Sequence, residues 1–323
     1  MTYDPQRSDA ELIAELVAIN LAYVPRSRCP ALRSEHGKGV ADLAATFTVI
    51  EHIPANLRHG LFAQAARYPA ILRFSNGAVS KDSQRDTHGL AIKVHGVPME
   101  TAPMGADGKR FQDFILLDSP VFIMGDLTDY VPFNRAFLDS KLTLGGKLKL
   151  LARMIANPRA GYYVLRLALN RPNAPLSTNY WSTTPYKLGP HAVKYMVRAL
   201  PRLAPPPRIQ GIDGRREALQ RQLQSEPGRF TFGVLLQSDP VRHPIEDPTV
   251  DWARNGAEFV PLAELCIGSD QPVDAPEATE TALTYSPGHA AVEHFPLGAI
   301  NRARVAIYAA ASLARQAAAR KSS

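Results

Sequence analysis

Eight short stretches of β-propensity, each bounded by turn residues, constrain this chain more than any other feature. They are "ATFTVIEHI", "AILRFSNG", "GLAIKVHGV", "FILLDS", "TNYWSTTPYKLG", "HAVKYMVRA", "RFTFGVLLQS" and "FVPLAELCIG", and apolar and polar residues alternate in several of them. An open sheet of that size leaves two unpaired edges, whereas a closed one leaves none. The pattern predicts an α+β fold, a closed antiparallel β-barrel of about eight strands with flanking helices. Helical patterns fill Pro54 to Arg67, Phe133 to Leu169 and the C-terminal "LGAINRARVAIYAAASLARQAAAR". "SDAELIAELVAINL" opens with Ser8 and carries Glu11 three residues on, a capping-box signature, so residues 1–30 read as an N-terminal helical arm. With 323 residues, 45% of them hydrophobic, and no internal repeat, we read residues 1–323 as a single domain that ends in a helix over 296–320. The Pro-rich 200–210 is a connector within it.

Cys29 and Cys266 lie far apart and fit no zinc or disulfide spacing, which suits a reducing compartment. No basic segment followed by an apolar core opens the chain and no run of about eighteen apolar residues interrupts it, so the expectation is a cytoplasmic protein. Charge is unevenly spread. Ser140 to Gln210 holds twelve Lys or Arg and no Asp or Glu, so a chain of net +7 is net −5 outside this segment. Within it, "KLTLGGKLKLLARMIANPRAGYYVLRLAL" mixes apolar residues with spaced cations as interfacial amphipathic helices do, which makes residues 140–210 a candidate for peripheral contact with anionic lipid. A basic hairpin packed on the protein's own acidic face is the alternative. Nucleic acid is not expected, because the aromatics do not interleave with the cations as a stacking platform requires.

Three segments carry the chemistry. In "RSEHGKG", His36 follows Arg33 by three residues; "ILRFSNGAVSKDSQRDTHGLAIKV" stands about forty positions downstream; "INRARVAIYAAASLAR" lies near the end. In the last, Arg304 and Tyr308 are four apart and share a helical face, with Arg315 about two turns further. A cation behind a phenol favours phenolate, the form in which tyrosine binds ferric iron. An arginine and a tyrosine one turn apart occur in many ordinary helices, where they are more often a packing pair. The histidines at 52, 59, 88, 95, 191, 243, 289 and 294 show no HxxxH or HExxH spacing and read as loop or satisfied core residues, and Trp181 and Trp252 as barrel-wall or core residues.

Together these segments resemble the haem core of the catalase family. The "RxxHxKG" pattern is Arg33, His36, Lys38 and Gly39; "RFS" is Arg73, Phe74 and Ser75; "RDxxGxAxK" is Arg85, Asp86, Gly89, Ala91 and Lys93. "SPVFI", Ser119 to Ile123, stands for "TPVFF", with Asp126 in the place of the family's acidic residue. The proximal "RxxxYxxxxxxR" is Arg304, Tyr308 and Arg315, preceded by "YSP" at Tyr285 to Pro287. The pieces come in the family's order from about residue 28 to 316, without its long C-terminal extensions.

The resemblance implies haem b held by Tyr308 as axial iron ligand, with Arg33, Arg73, Arg304 and Arg315 as further cofactor-binding residues. It implies His36 as the acid–base group that moves a proton between the two oxygens of a peroxide, and Ser75 as its hydrogen-bonding partner. The substrate pocket would include Gly77, Leu117, Asp118 and Phe122. Three positions depart from the family. Its distal asparagine falls on Leu117, with Asp118 beside it, its channel-narrowing valine on Gly77, and the residue before the distal histidine is Glu35. A leucine cannot orient peroxide, so the expectation is a haem peroxidase acting with hydrogen peroxide or organic hydroperoxides on small reductants, with weak catalase activity. The alternatives are a fatty-acid hydroperoxide isomerase of the allene oxide synthase type and a haem-binding or haem-sensing protein without turnover. Because family members commonly oligomerise through their N-terminal arms, the resemblance also leads us to expect a homodimer.

Overall fold

The computed structural model describes residues 7–23, 36–140, 143–269, 271–274 and 283–320. Among the described residues nine strands form one antiparallel sheet: β1 (Gly39–Val49), β2 (Arg67–Asn76), β3 (His88–His95), β4 (Phe111–Leu117), β5 (Tyr180–Trp181), β6 (Tyr186–Leu188), β7 (His191–Ala199), β8 (Gly228–Leu236) and β9 (Phe259–Ile267). The order is β5-β4-β3-β2-β1-β9-β8-β7-β6, and β5 also pairs with β7. That extra pairing closes eight strands into a ring and leaves β6 as an appendage of β7. The expected closed barrel of eight strands with flanking helices is the observed fold.

Side chains fill the barrel interior. Phe47, Phe114, Tyr195 and Phe232, from four different strands, meet there, with centroids 4.8 Å apart for Phe114 and Phe232 and 4.9 Å for Phe114 and Tyr195. A barrel of eight strands has room for such a core and little else. Any site must therefore lie outside it. The two-residue period supplies one: in β2, Leu72 and Phe74 belong to the core, while Arg73 and Ser75 line a cavity on the outer side.

Helices cover that side. α1 (Asp9–Tyr23) starts at the expected capping box, in which Ser8 N donates to Glu11 Oε2 (2.8 Å) and Glu11 N to Ser8 Oγ (3.3 Å). It is not a free arm: Leu12, Leu16 and Ile19 pack on Leu127, Val131 and Leu138 of α2 (Leu127–Ser140) and on Ile300 and Ala303 of α6 (Ala299–Arg320). The segment read as one helical stretch over 133–169 is three helices, α2, α3 (Leu144–Ala156) and α4 (Pro158–Ala168). Pro158 limits the end of α3 and opens α4, where its missing N–H costs nothing. The expected helix over Pro54–Arg67 is only two single turns, Ala55–Leu57 and Gly60–Phe62, before β2 begins. α5 (Gly214–Ser225) was not foreseen, because its buried face includes Arg215 and Gln222 and so hides the apolar period.

One buried ion pair ties strands to a distant loop. Lys93 of β3 donates to Asp113 of β4 (2.6 Å), and the same carboxylate accepts from Ser286 N (3.1 Å) and faces His289 Nδ1 (2.9 Å). Replacing Asp113 by Ala strips the buried ammonium of its carboxylate and releases the segment around Tyr285. Asp113→Ala should lower stability by about 3–5 kcal/mol in urea denaturation, whereas Lys149→Ala on an exposed helix should change it little.

Candidate active site

The cavity, about 500 Å³, is floored by two cross-strand rows. Arg73 pairs with Ala91 and Ala91 with Ile115; Ser75 pairs with Gly89 and Gly89 with Leu117. All six line the cavity. Its other walls come from α1, α2, α4 and α6, through Asn20, Phe133, Asn134, Phe137, Val164, Ile307, Tyr308 and Arg315 among others.

His36 sits on the second row. Its Nδ1 is 3.1 Å from Ser75 Oγ, its N–H donates to Gly77 O (2.9 Å), and its carbonyl accepts from Arg73 Nη2 (3.1 Å). The backbone there has φ +53°, a left-handed conformation uncommon outside glycine that histidine tolerates better than most residues. Gly89 makes room for the ring: a Cβ on it would stand 2.7 Å from Ser75 Oγ and 2.8 Å from His36 Nδ1. Burial, and then the Arg73 guanidinium, push the imidazole down to about 3. It is neutral at pH 7, and with Nδ1 turned to Ser75, Nε2 is the nitrogen left for a ligand.

The helical wall carries the second group. Arg304 donates from Nη1 to Thr184 Oγ1 (2.5 Å) and Asn301 Oδ1 (3.0 Å), while Asn301 donates to Pro185 O (2.7 Å). This network pins the start of α6 to the loop after β5. Burial works against the charge of Arg304, but the phenols of Tyr186, Tyr308 and Tyr130 outweigh it, and the guanidinium stays above its ordinary range. The Tyr308 phenol is among the groups that favour the Arg304 charge, so the cation and phenol paired by helical spacing share one wall of the cavity.

The structure thus brings His36, Ser75, Arg73, Arg304, Tyr308, Arg315, Gly77, Leu117 and Phe122 to one cavity. Arg33, Glu35 and Cys29 lie outside the described residues. Asp118 does not line the cavity: it accepts from His88 N (2.9 Å), lies 2.5 Å from His88 Nδ1 and accepts from Asn170 Nδ2 (2.6 Å). It follows Leu117, the last residue of β4, and its carboxylate is turned to His88 and Asn170. Gly77 does line the cavity, but a Cβ there would meet Thr87 Oγ1 at 2.2 Å, so its glycine serves loop packing and does not widen a channel. Asp86 accepts from Ala78 N and Val79 N (2.8 and 3.0 Å), holding that loop instead of salt-bridging Arg85.

His294 is a core residue as expected, receiving Leu61 N (2.9 Å) on Nε2, and Trp252 is fully buried. Sequence reasoning missed Asn20, Asn134 and Arg85 as lining residues. The two asparagines gave no signal, because only the docking of α1 on α2 brings them together, with Asn20 Nδ2 donating to Asn134 Oδ1 (3.1 Å). Arg85 stood in a quoted motif.

These features define a fold class. Three solved structures resemble the chain over nearly its whole length: a bacterial catalase at 18% identity (TM-score 0.64), a fungal catalase at 16% (0.67) and catalase A from Saccharomyces cerevisiae at 16% (0.62). The matches cover 97–98% of this chain and 63–67% of theirs, so it spans about two thirds of their length. The chain has the catalase fold. No family model matches the sequence, and no curated protein does. Among the described residues no helix is long and apolar enough to cross a membrane, and no three His, Cys, Asp or Glu side chains gather as a metal site would need.

The clamp on His36 is testable. Its imidazole should not titrate between pH 5 and 8 by NMR. In Gly89→Ala the added methyl displaces the ring, and its pKa should move up toward the ordinary histidine value. His36 and His294 are both held at about 3, below the value of about 6.5 that an unfolded histidine has. Unfolding therefore takes up protons as pH falls below about 6.5. Stability should be full above that pH and decline down to about pH 3, by up to ~1.4 kcal/mol per pH unit for each histidine.

Proposed function

We propose that this protein is a haem-dependent peroxidase that uses hydrogen peroxide or organic hydroperoxides to oxidise small organic donors, with weak catalase activity. One observation carries the reading: a single cavity holds a desolvated, clamped imidazole on its barrel wall and an arginine-backed tyrosine on its helical wall, in a fold shared with catalases.

The residues present fit haem b. The cavity volume lies in the range of small-molecule and cofactor sites. Its lining is mostly apolar, as a flat macrocycle requires, and Arg73, Arg85 and Arg315 border it as partners for two carboxylates. Tyr308 would hold the haem iron through its phenol oxygen, and Arg33 joins the carboxylate partners on the sequence resemblance. When bound, haem supplies a ferric centre that accepts oxidising equivalents from peroxide.

The chain's own groups handle the proton. His36 Nε2 takes it from the hydroperoxide and returns it to the departing oxygen, and the bond of Nδ1 to Ser75 keeps the ring in the orientation this needs. The depressed basicity of His36 leaves it ready to accept at neutral pH. Leu117 offers no hydrogen bond beside Gly89, so a second hydrogen peroxide is poorly oriented and an organic donor competes well. The apolar wall from Phe122, Phe133, Phe137 and Val164 favours a second reading, an isomerase of fatty-acid hydroperoxides. The reading includes a cytoplasmic placement.

The absorption spectrum of the purified protein should show high-spin ferric haem with a tyrosinate charge-transfer band, and Tyr308→Phe should lose that spectrum while keeping its fold. A colourless protein that takes up no added haem overturns the reading. His36→Ala should keep haem yet react with peroxide about 10²–10⁴-fold more slowly in stopped flow. Steady-state assays with hydrogen peroxide, cumene hydroperoxide and a fatty-acid hydroperoxide separate peroxidase, isomerase and a haem protein without turnover.

A further inference from the structure

The α3–α4 hairpin of the basic middle segment leaves its apolar and cationic side chains largely exposed. Seven of the fifteen exposed large apolar side chains among the described residues fall between Leu144 and Leu169. On α3, Leu144, Leu148, Leu151 and Ile155 are 75, 62, 52 and 71% exposed. They stand at i, i+4, i+7 and i+11, which places them within a sector of about 60° on a helix. On α4, Tyr162 and Leu165 repeat the pattern, continued by Leu169 just past its end. Lys147, Lys149, Arg153 and Arg166 are exposed between these residues, and Arg159 is paired with Asp247 at 3.1 Å. Gly161 lets the two helices approach closely: a Cβ on it would stand 2.6 Å from Met154 O.

We propose that the α3–α4 hairpin docks on an anionic lipid surface, with the two apolar stripes at the acyl boundary and the cations on lipid phosphates. Charge selects this occupant over a second copy. A two-fold interface through this face would set its cations against themselves, and the segment from 140 to 210 contains no carboxylate to pair with them. The carboxylates of adjoining α2 are engaged: Asp129 accepts from Asn157 Nδ2 (2.5 Å) and Asp139 from the Tyr23 hydroxyl. An anionic bilayer supplies both an apolar layer and negative charge, the combination that holds amphipathic helices at an interface.

Docking also bears on the cavity. Val164 lines it, one residue from the exposed Leu165, so the hairpin that meets the bilayer is also a cavity wall. On the peroxidase reading above, peroxidised acyl chains in the bilayer are then the hydroperoxide at hand. That step rests on the proposed function; the docking does not.

The test is flotation of the full-length protein with vesicles of phosphatidylcholine alone and of two parts phosphatidylcholine to one part phosphatidylglycerol. The protein should float with the anionic vesicles only, and less in high salt. Lys149→Gln with Arg153→Gln should weaken partitioning about 30-fold, from a factor of about five per cation near such a surface. Leu148→Glu with Ile155→Glu should abolish it, and all these exposed changes should leave thermal unfolding and cumene hydroperoxide turnover unchanged. Failure to float, or flotation indifferent to both variants, overturns the proposal. So does a dimer in sedimentation velocity that Leu148→Glu dissolves, since the occupant is then a second copy. If the parent turns over neither cumene hydroperoxide nor vesicle-borne acyl hydroperoxide, the peroxidase reading fails while flotation still decides the docking.

Discussion

The structure hangs on the pairing of Tyr180 and Trp181, two residues that bond to β4 on one side and to β7 on the other. Without them the sheet has two open edges, and the aromatic core of Phe47, Phe114, Tyr195 and Phe232 opens to water. With them the ring is complete and the chain runs directly into Ser182–Thr184, where Thr184 receives Arg304. Closure and site are therefore one construction. The loop that leaves the closing strand fixes the first turns of α6, and α6 carries Tyr308 and Arg315 to the cavity.

Because the barrel is full, its outer face must serve as the floor of the site, and strand alternation makes that face cheap to specialise. Leu72, Phe74, Leu90, Ile92, Phe114 and Leu116 hold the inside, while their neighbours are free to be small, charged or polar. Gly89 and Ala91 keep the middle strand low enough for His36 to lie against it. Desolvation then depresses the basicity of the imidazole, and the Arg73 guanidinium adds to the effect. Lys93 and Asp113 continue the same outer face and bind the segment that brings Tyr285 to the cavity.

A position aligned by motif tells where a backbone lies, and only packing tells which way a side chain faces. Asp118 and Gly77 show the difference. Asp118 follows Leu117 by one residue, and its carboxylate is turned to His88. Gly77 falls where a valine is expected to narrow a channel, yet its hydrogen faces Thr87. Both belong to the right neighbourhood and neither has the role its position suggested.

The sequence by itself determined the barrel, through eight turn-bounded segments of β-propensity, and the local chemistry of α6, since i, i+4 spacing puts Arg304 behind Tyr308 in any helix. It also marked the basic, acid-free segment from 140 to 210, because composition is independent of folding. The docking of α1 on α2 and α6, the asparagine pair at the cavity and the buried arginine face of α5 were decided by tertiary structure alone. Each depends on which surfaces remain to be covered once the barrel has closed, and that is a property of the whole packed chain that no local spacing carries. The exposure of the α3 stripe is of the same kind: helical period predicts an apolar face, but only packing shows that nothing among the described residues covers it.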